Sequence, residues 1–225
     1  MKKRILNFLV TSILLVNISF CQKIVPVYQE PNHNPVLLNK YLRVIDAQIE
    51  NGDSSLFHVH ATPSAFVFLT DVVYDNQVLN QPWTKATSKK GYAWYSSFAN
   101  GPSTHRVAAP GDGRIHAYDV EILGKWAIVD RPTWKPLALD TIFVSDKCVG
   151  YRLELSSKNP TFSFSGRGPT VAILVSGELV QISQPDTRVE IGMEEADYGY
   201  IRPGYGCTIQ LKEGEKASLV LFEVR

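Results

Sequence analysis

Short runs of alternating or apolar residues, each closed by Gly, Pro, Asn or Asp, recur along this chain with almost no helical periodicity. Neighbouring side chains of a strand point to opposite faces, so such runs fold as strands and the class is all-β. Tyr41–Ile49 alternates, with Leu42, Val44 and Asp46 on one side. Ala65–Thr70 is almost continuously apolar, Gly91–Phe98 is rich in aromatics, and Arg114–Leu123 alternates again. The rhythm breaks at residues 124–136, which hold two prolines and two tryptophans. Tryptophan buries a large apolar surface, so this stretch reads as a connector packed against the fold rather than a free linker. Strand patterns then resume at Ala138–Val144, Val149–Leu155, Thr170–Val175, Glu178–Ile182, Asp197–Arg202 and Ala217–Val224.

The first residues belong to a different kind of segment. Lys2, Lys3 and Arg4 precede a short apolar core from Ile5 to Val16, and Ser19-Phe20-Cys21 resembles a cleavage site. This is the pattern of a secretory leader, too short and too interrupted for a spanning helix. The expectation is export to the periplasm or the medium, with residues 1–21 removed. Lipid attachment at Cys21 is the alternative, against which the bulk of Phe20 weighs. No later segment is apolar enough to cross a membrane.

Of the 23 Lys and Arg, three fall in the leader, leaving 20 against 22 Asp and Glu. A slightly acidic mature chain lacks the concentrated basic surface that nucleic acid requires, so that partner is excluded. Cys148 and Cys207 remain, and two states are open to them. Export permits a disulfide, whereas buried free thiols are the ordinary alternative.

The second half looks like a repeat of the first at an offset of about 105 residues. Arg43–Ile49 sits opposite Cys148–Glu154, and the segment starting at His58 sits opposite the segment starting at Ser163.

Two histidines separated by one residue share a strand face, so His58 and His60 can converge on one ion. His105, from a neighbouring strand, would complete a cap that leaves coordination positions open. The bland alternative is a pair of hydrogen-bonded or exposed strand histidines. His116 shares a face with Tyr118, Val120 and Ile122, and reads first as a core histidine and second as a pocket residue. His33, between Asn32 and Asn34 and near Pro31 and Pro35, reads as an exposed loop residue. Tyr92 and Trp94 are either core packing or a pocket wall.

These residues resemble the cupin superfamily, whose first motif opens with a glycine, five residues and His-x-His. Gly52, DSSLF and His58-Val59-His60 match that opening without a gap, but the motif's glutamate falls on Ser64 or Ala65. Gly101–Val107 resembles the second motif around His105, with Ala109 where the family has asparagine. The resemblance implies two tandem cupin barrels, jelly-roll-like β-barrels spanning residues 22–125 and 126–225. In the second half Ser163 and Ser165 take the histidine places, and Gly168–Glu178 and Asp197–Gly204 look like the metal-free C-terminal barrel of phosphomannose isomerases.

A metal site in the first barrel is thereby implied, with His58, His60 and His105 as ligands and Tyr92, Trp94 and His116 as candidate pocket lining. Imidazole suits Fe, Mn, Ni, Cu or Zn, and does not choose among them. The carboxylate ligand is missing, so a divalent ion would keep its full positive charge; Asp46 or Asp71 could supply one from an adjacent strand. The implied activity is dioxygenase- or isomerase-like chemistry on a small organic molecule. Two other readings stay open: a non-catalytic cupin that binds a sugar or other small ligand, and a structural scaffold with a decayed site. A homodimer through edge strands is compatible with all three.

Overall fold

The computed structural model describes residues 23–126 and 135–225. The expected leader with Cys21, and residues 127–134 of the connector, lie outside the described residues. Nineteen strands are present among those described, with no α-helix. They are β1 Ile24–Pro26, β2 His33–Leu38, β3 Leu42–Ile49, β4 Phe57–His60, β5 Ser64–Phe68, β6 Val72–Val78, β7 Thr84–Ser88, β8 Ala93–Ser96, β9 Ser103–Ala108 and β10 Ile115–Ile122. The second series is β11 Asp140–Val144, β12 Cys148–Ser156, β13 Thr161–Phe164, β14 Thr170–Ser176, β15 Leu179–Gln184, β16 Val189–Met193, β17 Tyr198–Ile201, β18 Cys207–Glu213 and β19 Lys216–Val224.

Apart from β1, which has no counterpart, the two series have the same topology. In the first, sheets ordered β1-β4-β9-β6-β7 and β2-β3-β10-β5-β8 face each other; in the second, β13-β18-β15-β16 faces β11-β12-β19-β14-β17. Two tandem barrels of one plan result, and the strand-by-strand match accounts for the repeat in the sequence.

Alternation decides what each strand buries. The odd residues of β3 face the interior of the first barrel, whereas Leu42 and Val44 face outward. Leu42, Val44, Ala65, Val67, Val120 and Ile122 pack there with Cys148, Val171, Ile173, Val220, Phe222 and Val224 in one continuous core. The back of each five-stranded sheet is therefore buried against the other, and the strands β5 and β14 read as unbroken apolar runs because both of their faces are covered. Trp126 packs edge-on against Tyr41, and its backbone N–H donates to Arg225 O at 3.2 Å, so the described start of the connector is docked.

The interiors differ. The second barrel is filled by Val149, Tyr151, Leu153, Leu174, Ile182, Met193, Ile209 and Leu219, all buried. The first is closed by a smaller cluster of Ile49, Phe68, Val72, Val107, Ala109 and Ile115, and the rest of its interior is a cavity. Cys148 lies in the core between the barrels and Cys207 in the core of the second, and both are free thiols, so no disulfide joins them. Among the described residues, no helix is long and apolar enough to cross a membrane.

Candidate metal centre

The histidine pair enters on β4, after a turn in which Gly52 takes φ +86°, a conformation glycine adopts without strain. Strand β4 pairs antiparallel with β9 so that His58 lies opposite His105 and His60 opposite Ser103. His58 and His60 are buried and His105 is half-buried. One ligand atom from each of the three lies within 4.8 Å of the others, a spacing that one ion can span. The structure thus brings together the His58 and His60 that the strand spacing pairs and the His105 that the cupin resemblance adds.

Hydrogen bonds fix the tautomers. His58 Nδ1 donates to Leu56 O at 3.0 Å, and His105 Nδ1 donates to Asn76 Oδ1 at 2.7 Å. Each ring then presents an unprotonated Nε2, and these two atoms face each other at 3.1 Å. Burial pushes the His58 pKa far down, aided by the neighbouring His33, His105 and His60. Burial also pushes that of His105 down to about 3, with His60 and His33 adding to the effect. Neither ring gains the proton that would relieve the facing lone pairs at neutral pH. A cation relieves them: a separation of 3.1 Å is the chord of two metal–nitrogen bonds of roughly 2.0–2.1 Å meeting at about 95–100°. The donor set suits borderline transition metals rather than Mg or Ca, which favour oxygen.

A carboxylate is also at hand, though not either of those anticipated. Asp119, on β10, lines the cavity and is buried, with Oδ2 3.2 Å from His60 Nδ1. Neither of its oxygens accepts a hydrogen bond from the described residues. A buried charge without hydrogen bonds is costly unless positive charge stands near it, which again fits a cation in this cavity. Asp46 faces the other way, accepting from Gln48 and pairing with His116, and Asp71 is exposed on the surface.

His33 corrects a second expectation. It is a buried residue of β2, not an exposed loop residue, and its Nδ1 stands 2.5 Å from Glu30 Oε2. Its ring lies 4.4 Å from that of His58, and it lines the same cavity. The prolines that suggested a loop are accommodated because β2 is an edge strand whose register shifts between Pro35 and Leu37.

The cavity, about 110 Å³, is polar at the histidine end and apolar elsewhere, walled by Ile49, Phe66, Phe68, Trp94 and Val107. Trp94 is therefore a lining residue. Tyr92 is not: it precedes β8, is more than half exposed, and stacks on Trp94 at 5.5 Å. His116 is not either, because alternation along β10 turns it away from the interior. It is a core histidine whose Nε2 lies 2.9 Å from Asp46 Oδ1.

Among the described residues, the second barrel has no counterpart of this site. Phe162 pairs with Ile209 and Phe164 with Cys207, where the first barrel pairs His58 with His105 and His60 with Ser103. The histidine places are thus taken by Phe162, Phe164 and Ile209, not by Ser163 and Ser165; the repeat seen in the sequence is one residue out of phase there. Ser163 points outward and bonds Thr208 Oγ1. Leu221 similarly stands where Asp119 does, between the partners Tyr151 and Ala172.

Comparison with solved structures places the fold. The chain is similar to AerE from Microcystis aeruginosa, at 10% identity and a TM-score of 0.60 over 87% of this chain and 98% of that one. It is similar to a cupin 2 conserved barrel domain protein from Leptotrichia buccalis, at 8% identity and a TM-score of 0.55 over 86% and 88%. An oxalate decarboxylase from Lactobacillus farciminis, in complex with formate, matches at 9% identity and 0.54 over 82% and 77%. The architecture is that of tandem cupin barrels. No family model matches the sequence, and no curated protein sequence does.

Proposed function

We propose that this protein is an exported, metal-dependent bicupin that acts on a small organic molecule. The observation that carries the reading is the pair of proton-free Nε2 atoms of His58 and His105 facing each other inside a cavity, with His60 beside them. His58, His60 and His105 would hold Fe, Mn, Ni, Cu or Zn, and Asp119 would temper its charge. Such an ion supplies a Lewis acid and open positions for water or a substrate oxygen. The chain's own residues do the rest: Leu56 O and Asn76 aim two imidazoles, and Phe66, Phe68 and Trp94 exclude water and hold an apolar substrate body. An apolar cavity of roughly 150 Å³ accepts benzene, so a molecule of that size or smaller suits the space here. Dioxygenase- or isomerase-like chemistry is compatible with this arrangement, and the oxalate decarboxylase of similar fold supports small-molecule chemistry in such barrels. The leader pattern of residues 1–21 supports export.

The test is elemental analysis of untagged mature protein beside a His58→Ala/His60→Ala variant. Near-stoichiometric metal that disappears in the variant supports the proposal. No metal in either protein, even after supplementation with all five elements, overturns it and leaves a cupin that binds or scaffolds.

A further inference from the structure

Four of the chain's five histidines line one cavity, and the strand spacing and the motif resemblance together account for only three of them. His33 comes from β2, on the opposite sheet from β4 and β9. Glu30 holds it in place. That carboxylate is buried, accepts from Leu56 N–H at 3.0 Å and from Asn32 N–H at 2.8 Å, and stands 2.5 Å from His33 Nδ1. The contact with Glu30 engages Nδ1 of His33 and leaves Nε2 as the ring's other nitrogen.

Three rings therefore share one arrangement: Nδ1 is hydrogen-bonded to Glu30 in His33, to Leu56 O in His58 and to Asn76 in His105. In His60, Nδ1 lies 3.2 Å from Asp119 without a hydrogen bond. An oxygen behind Nδ1 is the usual support of a metal-binding imidazole, because it orients the ring and raises the basicity of the other nitrogen. Glu30 also joins two of these supports. It fixes the N–H of Leu56, whose carbonyl in turn orients His58.

The geometry points to His33, braced by Glu30, as a fourth protein ligand of the ion held by His58, His60 and His105. The inference rests on the metal-binding reading above. It fills the ligand place left by the missing glutamate with a neutral ring from a different strand, so the carboxylate acts one residue removed from the ion. His33 stands outside the set of three whose ligand atoms lie within 4.8 Å of one another, so joining the ion requires its ring to move closer to them.

The test uses Cu(II) as the probe metal on the full mature chain, with pulsed electron paramagnetic resonance to count coordinated imidazoles and chelator competition to measure affinity. Wild type should show four imidazoles and His33→Gln three, with affinity lower by roughly 10–100-fold. Glu30→Gln should weaken binding in the same direction, and His116→Gln, which alters a buried histidine outside the cavity, should not. Three imidazoles in wild type, or unchanged affinity in His33→Gln, would overturn the assignment while leaving a three-histidine centre intact. No binding by wild type would overturn both readings. The count on wild type needs no variant, so misfolding of His33→Gln leaves the inference open to contradiction.

Discussion

His58 Nε2 and His105 Nε2 stand 3.1 Å apart, each ring carrying its proton on the far nitrogen. Two lone pairs that close, in a cavity mostly walled by apolar side chains, make sense when something positive lies between them. The relationship depends on Asn76, whose amide oxygen selects the His105 tautomer. Asn76→Leu should lower metal affinity about 10–100-fold with little change in melting temperature. Chelator competition checks this, and unchanged affinity would mean that the tautomer is set by something else.

How far this site was legible in the sequence follows from which contacts are local. His58 and His60 announce themselves because one strand's alternation puts them on one face. His105 is legible through its resemblance to a motif, and its pairing with β4 completes the set. Glu30, His33, Asn76 and Asp119 are not legible, because each reaches the cavity from a different strand or turn and only the sheet order unites them. The core strands β3, β10, β12 and β19 were plain from their patterns. The edge strand β7, polar and largely exposed, carries no such signal, and the short alternation of Val189, Ile191 and Met193 in edge strand β16 is not among the strand patterns read. The same limit misplaced the second barrel's histidine equivalents by one residue, since a one-residue slip exchanges the two faces of a strand.

The buried face between the barrels predicts joint unfolding. Phe222 is fully buried there and packs with Phe143 and Val171. Phe222→Ala should destabilise by about 3–5 kcal/mol and shift a single urea transition that includes both barrels. Two separated transitions, only one of them shifted, would show that the barrels fold independently.

The apolar half of the cavity predicts binding without metal. Benzene should bind the metal-free protein and perturb Trp94 fluorescence. Ala47→Leu, which places a larger side chain at the cavity wall, should weaken that binding at least about tenfold if the added methyl groups occupy the benzene site. Equal binding by both proteins would place the benzene elsewhere.

The thiols should be inert in the folded protein. Burial raises Cys207 from 9.0 to about 12, and burial together with Glu223 raises Cys148 further still. Both are protonated at pH 8, so iodoacetamide should label them only after denaturation. The sign for stability follows: unfolded thiols ionise above about pH 9 while the folded ones stay neutral, so this contribution is full below that pH and is lost as pH rises. Rapid labelling of native protein at pH 8 would contradict the burial of either thiol.

Whether one ion sits among His58, His60 and His105 is decided by anomalous diffraction from crystals of the metal-loaded protein. An anomalous peak is expected at the absorption edge of the bound element, at bonding distance from a nitrogen of each of these three rings. A peak at another site, or none in this cavity while metal is bound in solution, would contradict that placement.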